Sequence, residues 1–305
     1  MSENGRKERF EELMEMYVDY SNVECFPERI RRELSSTEPY DEDLIKFFKQ
    51  NSPVAGEIAT NPASDFITRT VYASTLPQMP PRYSIDDLLV YSPGGRALFN
   101  RLPAASKILA KWITEHESCD IVDLGGGSGS YAFKTIEILS KMKGFNSIVK
   151  RISWTSVDID SGAIELGKAR SKADGLTGQV FFEEGNFMSK KFPTIDADLV
   201  VLIGVLCGMT PEVAVTCLEK VRRFIETRNG EIYAATLLTR SFEEDPICFR
   251  IFAKLGWHLK PKTEEEVRKV FNDAGYEIID IHSERDTETE RVPGQYAIVR
   301  ARLKA

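Results

Sequence analysis

The sequence has no long apolar run and no closely paired cysteines. None of its apolar stretches approaches the ~20 residues that a bilayer-spanning helix requires. Its first residues, MSENGRKERF, are charged where a secretory signal would be apolar. Five cysteines are scattered over 305 residues without a C-x-x-C pair, so neither a disulfide framework nor a zinc site is indicated. We therefore expect a cytoplasmic protein without a membrane partner or a bound metal, whose thiols are reduced and mainly buried.

An excess of positive charge is also missing. Lys and Arg number 40 against 47 Asp and Glu, which gives a formal net charge of -7. The basic residues are mixed with acidic ones, whereas proteins that bind nucleic acid usually concentrate positive charge on one surface. The charge pattern therefore predicts no nucleic-acid partner.

The pattern of apolar residues changes near residue 118. Before it, apolar residues recur at helical spacing, as in ASDFITRTVYASTL and ALFNRLPAASKILAKWITEH. After it, runs typical of strands alternate with helical stretches, which predicts a mostly parallel sheet covered on both faces. The last two such runs, YEIIDIHSE and QYAIVRARL, look like an antiparallel pair at one edge. We predict an all-helical N-terminal lobe over residues 1–104 and an α/β domain over residues 105–305.

A glycine-rich corner follows the first predicted strand, in IVDLGGGSGSYAFKTIEIL over residues 121–139. Open α/β sheets bind ligands at the carboxyl ends of their strands. Glycines let a ligand approach the backbone, and the first amides of a helix attract negative groups. The spacing lacks both the dinucleotide fingerprint and the Walker sequence. It fits D-x-G-x-G-x-G, read from Asp123 to Gly129.

This pattern resembles the first motif of the class I S-adenosylmethionine-dependent methyltransferases. The resemblance implies a Rossmann-like, seven-stranded, mostly parallel sheet with an antiparallel edge strand, and S-adenosylmethionine as the cofactor. Asp123 would lie near the cofactor's ammonium group, acting directly or through water, and Asp158, at the end of the second strand, would hold the ribose hydroxyls. Asp158 also reads as a helix cap, a role for which Asp160 competes, or as a solvated turn residue. The further cofactor-binding residues that the resemblance implies are Gly125, Gly126, Gly127, Gly129, Ile159, Asn186, Phe187 and Gly204.

Asn186 stands where the family usually has aspartate, although an amide oxygen still accepts a hydrogen bond from the adenine amine. Phe187 reads equally well as an adenine contact or as a core aromatic. The segment SKMKGFNSIVKR, between the first two α/β units, looks like an inserted surface loop.

Methyl transfer is an in-line displacement, so the acceptor has to be aligned and water excluded. Related O-methyltransferases carry a catalytic histidine soon after the fourth strand, but this chain has VLCGMTPE there. His258 is the candidate base, and Arg96 suits an anionic acceptor. The candidate substrate contacts, each of which also reads as a packing residue, are Tyr91, Arg96, Phe99, Cys207, Met209 and Trp257.

The resemblance therefore implies methyl transfer to a small-molecule acceptor whose site is completed by the helical lobe. Two alternatives stay open. One is a cofactor-binding regulatory subunit without activity. The other is transfer of a different group on the same scaffold, as in aminopropyl transferases. A homodimer is compatible with all three readings.

Overall fold

A computed structural model of the chain describes residues 53–61, 65–73, 92–287 and 289–304. Tyr91, a candidate substrate contact, and Cys25, one of the five cysteines, lie outside the described residues.

The described chain divides into two compact units. The first contains the described residues up to Phe99 together with Arg240–Leu259. The second contains Asn100–Thr239 and the chain from Lys260 onwards. Residues 240–259, which follow the fifth strand, therefore group with the N-terminal helices rather than with the sheet. The assignment of residues 1–104 as a functional lobe stays a prediction.

The second unit is built on a seven-stranded sheet. Its strands are β1 (Cys119–Leu124), β2 (Ile152–Asp158), β3 (Val180–Glu184), β4 (Leu199–Ile203), β5 (Glu231–Leu237), β6 (Tyr276–His282) and β7 (Tyr296–Leu303). The order across the sheet is β3-β2-β1-β4-β5-β7-β6. Strands β1 to β5 pair in parallel, whereas β7 runs antiparallel to both β5 and β6. The predicted mostly parallel sheet is confirmed. Its antiparallel strand, β7, lies next to β6, which forms the edge of the sheet.

Ten helices are described. They are α1 (Pro53–Thr60), α2 (Asp65–Ala73), α3 (Pro93–Glu115), α4 (Ser130–Ser140), α5 (Phe145–Val149), α6 (Ser161–Ala173), α7 (Pro211–Val221), α8 (Arg240–Glu244), α9 (Pro246–Lys254) and α10 (Glu264–Asp273). Short 3-10 turns occupy Val205–Gly208 and Arg222–Phe224. All elements described before residue 118 are helical, as predicted. The segment predicted as an inserted surface loop contains the short helix α5.

Burial explains why the central strands are continuous apolar runs. All five residues of β4 are buried, and six of the seven in β5 are buried. Parallel strands covered on both faces carry this pattern because neither face meets water. The largest core cluster joins β4 and β5 to side chains of α7 and α10, including Leu218, Val267 and Phe271.

Helix ends are stabilised by local side chains. Thr263 and Glu266 form a reciprocal capping box at the start of α10. Asp160 caps α6, since its Oδ1 accepts a hydrogen bond from the Ala163 N–H at 3.1 Å. The four cysteines in the described part of the chain are free and buried, as predicted.

Candidate functional site

The glycine corner lies directly after β1, at the carboxyl edge of the sheet. Gly125, Gly127 and Gly129 have φ values of 74°, 55° and 79°, which residues with a Cβ rarely adopt. At Gly126 the constraint is space, because a Cβ would lie 2.7 Å from the Asp123 carboxylate. The turn is therefore specific to glycine. Its backbone passes close to the Asp123 side chain.

Asp123 is buried beneath this corner. Its side chain is 1% exposed. Burial and the nearby Asp158 carboxylate raise the pKa of Asp123 to about 8. The Trp154 indole partly offsets this shift in pKa, yet no described group makes a hydrogen bond of normal geometry to Asp123 Oδ2. A buried carboxylate oxygen without a partner is costly, so this atom is suited to a ligand that carries a positive donor group.

Asp158 joins the second strand to the glycine corner. Its Oδ2 accepts a hydrogen bond from the Gly127 N–H at 2.8 Å, and its Oδ1 accepts one from the Asp160 N–H at 2.9 Å. Because Asp160 caps helix α6, the capping alternative for Asp158 is wrong. Asp158 instead supports the conformation of the glycine corner from the neighbouring strand.

Two of the predicted cofactor-binding residues differ sharply in exposure. Ile159, directly after β2, is 72% exposed. Phe187 belongs to the main core cluster and is 8% exposed, so the structure places it among core residues. Asn186 is exposed and accepts a hydrogen bond from the Met188 N–H. It borders a cleft of about 700 Å³.

The turn after β4 contacts the glycine corner. A Cβ on Gly125 would lie 2.6 Å from the Val205 side chain. Gly204, where the turn begins, has a φ of 92°. Cys207 is buried, and burial raises the pKa of its thiol. Met209 is partly buried against the main core. The predicted cofactor-binding residues at the ends of β1, β2 and β4 therefore lie together at the carboxyl edge of the sheet, within the second unit.

Arg101, on α3, lies at the same edge and was not selected by the sequence analysis. It is 4% exposed. Its Nε donates a hydrogen bond to the Tyr131 hydroxyl at 2.9 Å, and its guanidinium carbon lies 4.7 Å from the Tyr296 ring centroid. A Cβ on Gly204 would lie 3.4 Å from the terminal nitrogens of Arg101. A buried positive charge therefore lies beside the end of β4.

A sequence signal for Arg101 existed. It is four residues before Ala105 and eight before Leu109, both buried on α3, so it is in phase with the apolar side of that helix. A charged residue at such a position is rarely buried without a purpose.

The remaining predicted substrate residues belong to the first unit. Arg96 and His258 are exposed, and Phe99 and Trp257 are half-buried. The Trp257 ring packs against Phe252, with centroids 5.0 Å apart. Their roles stay predictions.

The first unit contains a second buried carboxylate, Asp245. It accepts hydrogen bonds from the Gly94 N–H at 2.8 Å and the Cys248 N–H at 3.2 Å. Asp245 therefore links the first turns of α3 and α9. Burial raises its pKa to about 7.

Within the described residues, no group of three or more His, Cys, Asp or Glu side chains is arranged to hold a metal ion. No helix in the described ranges is both long and apolar enough to cross a bilayer.

Comparison with solved structures shows the fold. The chain is similar to a putative O-methyltransferase from Nostoc punctiforme, with 15% identity and a TM-score of 0.51 over 85% of this chain and 72% of that one. It is also similar to magnesium protoporphyrin IX methyltransferase from Synechocystis with bound S-adenosylhomocysteine, at 12% identity and a TM-score of 0.53, covering 82% and 98% of the two chains. The mitomycin 7-O-methyltransferase MmcR gives 16% identity and a TM-score of 0.50 over 89% and 74%.

Sequence comparison shows the family. No curated protein sequence matches the chain significantly. The family model of the O-methyltransferase domain matches residues 104–277, more than half of the chain. Neither finding supports an inactive subunit or transfer of another group. The chain belongs to the O-methyltransferase domain family and is an S-adenosylmethionine-dependent methyltransferase.

Proposed function

We propose that the protein transfers a methyl group from S-adenosylmethionine to a hydroxyl group of a small-molecule acceptor. The observation that supports this most directly is Asp123 Oδ2, a buried carboxylate oxygen without a hydrogen-bond partner among the described residues, next to a glycine-specific turn. An ammonium group satisfies such an oxygen with a charge-assisted hydrogen bond. The residues present at this edge therefore fit the cofactor.

The roles of the cofactor-binding residues follow from their positions. Asp123 binds the ammonium group, and Asp158, at the end of β2, accepts hydrogen bonds from the ribose hydroxyls. Ile159 covers one face of the adenine with an exposed apolar side chain, and Asn186 contacts the adenine amine. Gly204 keeps the end of β4 free of a side chain. When bound, the cofactor supplies a methyl group made electrophilic by a positive sulfur.

Candidate acceptor contacts occur in each of the two units. In the sheet unit, Cys207 and Met209 follow β4 and limit the space at its end. In the helical unit, Arg96, Phe99 and Trp257 supply acceptor contacts. His258 accepts the proton of the acceptor hydroxyl, since the turn after β4 contains no histidine. The formal charge of -7 favours a small molecule over nucleic acid as the acceptor.

Calorimetric titration with S-adenosylhomocysteine tests the cofactor site. Asp158→Ala should weaken binding by at least roughly tenfold, because each lost hydrogen bond to a charged group costs about 1.5–3 kcal/mol. Asp160→Ala is the matched control two residues away. It removes only a helix cap, so it should lower the free energy of unfolding by about 1 kcal/mol and leave the affinity unchanged. Equal affinities for the two variants would contradict the assigned role of Asp158.

Turnover tests the reaction. Wild-type protein incubated with S-adenosylmethionine and a library of small hydroxylated molecules should form S-adenosylhomocysteine with at least one of them. His258→Ala should bind S-adenosylhomocysteine normally and react more slowly. A normal rate would remove His258 as the base.

A further inference from the structure

The turn that follows β4 has little internal support. It runs from Val205 to Met209, and glycines stand at Gly204 and Gly208. Glycine restricts the backbone least, and within the turn the Met209 N–H donates a long hydrogen bond, 3.3 Å, to the Leu206 carbonyl. The turn nevertheless contacts the glycine corner through Val205. Groups outside the turn have to hold it in one conformation.

Lys262 supplies that support. Its side chain is 1% exposed, which is rare for lysine. Its Nζ donates hydrogen bonds to the carbonyl oxygens of Leu206 at 2.9 Å, Met209 at 2.8 Å and Lys260 at 3.0 Å. Three acceptors match the three N–H groups of a protonated lysine. Two of the three belong to the turn.

The charge of Lys262 is not explained by an ion pair. Among the described residues, its three hydrogen bonds all go to backbone carbonyl oxygens, and the Glu266 carboxylate favours the charged form electrostatically. Burial lowers the pKa of Lys262, so the carbonyl oxygens have to compensate for the loss of water. A lysine in this position is costly for the fold unless it orders the groups that it contacts.

The backbone around Lys262 is also tied to this region. The Lys260 N–H donates to the Cys207 carbonyl at 2.7 Å, and the Lys262 N–H donates to the Leu237 carbonyl at 3.0 Å. The segment therefore runs between the turn and the end of β5, where Leu238 and Lys262 form an isolated parallel bridge. Lys262 is thus anchored to the end of β5 through its backbone N–H and to the turn through its ammonium group.

We propose that Lys262 is a positioning residue of the methyl-transfer reaction, which fixes the turn Val205–Met209 and so the wall against which the acceptor is aligned. The proposal rests on the proposed function, because it takes the end of β4 as the place of methyl transfer. Lys262 acts through the turn, with no contact to the acceptor.

The first test needs no cofactor. Lys262→Met removes the ammonium group with little change in side-chain length. The freed turn should expose Cys207, so a thiol reagent should label that residue at least roughly tenfold faster than in wild type, read by peptide mapping. Amide exchange at Met209 and Lys260 should accelerate as well. Lys304→Met is the matched control, since exposed Lys304 also donates to a backbone carbonyl, that of Asn272, at the opposite edge of the sheet.

The second test separates positioning from general stability. Lys262→Met should bind S-adenosylhomocysteine with about the wild-type affinity, whereas kcat with an acceptor from the library falls at least roughly tenfold at an unchanged KM for S-adenosylmethionine. Labelling of Cys207 at the wild-type rate would overturn the proposal, as would an unchanged kcat. Failure of the wild-type protein to bind S-adenosylhomocysteine would count against the proposed function alone, because the labelling result does not depend on it.

A milder variant covers the case in which Lys262→Met does not fold. Lys262→Gln keeps N–H donors without the charge and should show the same faster labelling of Cys207. If both variants fail to fold while Lys304→Met folds, Lys262 is a general folding residue and the positioning role is refuted.

Discussion

Replacing Asp123 by asparagine should change how the stability of the cofactor-free protein depends on pH. The carboxyl has a pKa of about 8 in the folded protein and an ordinary value of 3.8. Between these two values the folded state keeps a proton that the unfolded state has lost. The contribution of Asp123 to stability therefore falls as the pH rises toward the folded pKa, and it is most favourable at low pH.

The size of the effect follows from linkage. For a single carboxyl with this folded pKa, the free energy of unfolding should fall by about 2 kcal/mol between about pH 6 and pH 8. Asparagine does not ionise, so Asp123→Asn should lack this component. Asp174→Asn, at an exposed helix end, is the control and should keep the wild-type dependence.

Urea unfolding at several pH values in this range measures the difference between the wild-type and variant curves. Subtracting the variant removes contributions that the two proteins share, including that of Asp245. Parallel curves for wild type and Asp123→Asn would refute the raised pKa that burial and the Asp158 carboxylate give this group.

The affinity for the cofactor should rise with pH over the range in which the stability contribution of Asp123 falls. An ammonium group is best satisfied by the ionised carboxylate, so affinity for S-adenosylhomocysteine should rise as the pH approaches about 8, with release of a proton. Asp123→Asn should bind roughly tenfold or more weakly, because it loses a charge-assisted hydrogen bond. Affinity that is independent of pH in the wild-type protein would show that Asp123 does not meet the ammonium group.

Two further predictions concern packing and helix ends. Gly167 lies inside α6, where helix propensity alone favours alanine by about 0.5–1 kcal/mol. A Cβ at this position, however, would lie 2.1 Å from the Phe182 ring. Gly167→Ala should therefore lower the free energy of unfolding, measured in urea, by about 1–3 kcal/mol. Gly178→Ala, where a Cβ meets nothing within 4 Å, should be nearly neutral, and equal effects of the two changes would contradict the contact. Asp245→Ala removes the acceptor from the first turns of both α3 and α9, so the free energy of unfolding should fall by about 1–3 kcal/mol. An unchanged midpoint in urea would show that these hydrogen bonds contribute nothing net.

The strands and the glycine corner were predictable because their signals are local. Each of the seven strands is an apolar or β-branched run bounded by turn residues, and the two predicted from YEIIDIHSE and QYAIVRARL are present within two residues of their expected ends. The corner after β1 combines an acidic residue with glycines at alternate positions. Three of these glycines adopt positive φ, a preference that belongs to the residue type itself.

Other features depend on residues far apart in the chain. Strand β7 lies between β5 and β6, although β6 precedes it in the sequence. Asp245 and Gly94 are separated by 151 positions, and their hydrogen bond links residues 240–259 to the helical unit. The residue pattern of a single segment does not predict such pairings, because they arise from packing between segments that are distant in the sequence.

By itself, the sequence determined the alternation of helices and strands, the position of the ligand-binding corner and the resemblance to methyltransferases, since these depend on the conformational preferences and periodicity of neighbouring residues. Only the tertiary structure decided which charged side chains are buried. Lys262, in the polar segment HLKPKTEEE, reads as an ordinary surface lysine, yet three carbonyl oxygens surround its ammonium group. Asp123 reads as a ligand contact, but its raised pKa comes from burial beneath the corner and from the Asp158 carboxylate on the next strand. Burial and electrostatic environment are properties of the packed chain, because they depend on which distant groups replace water around a side chain.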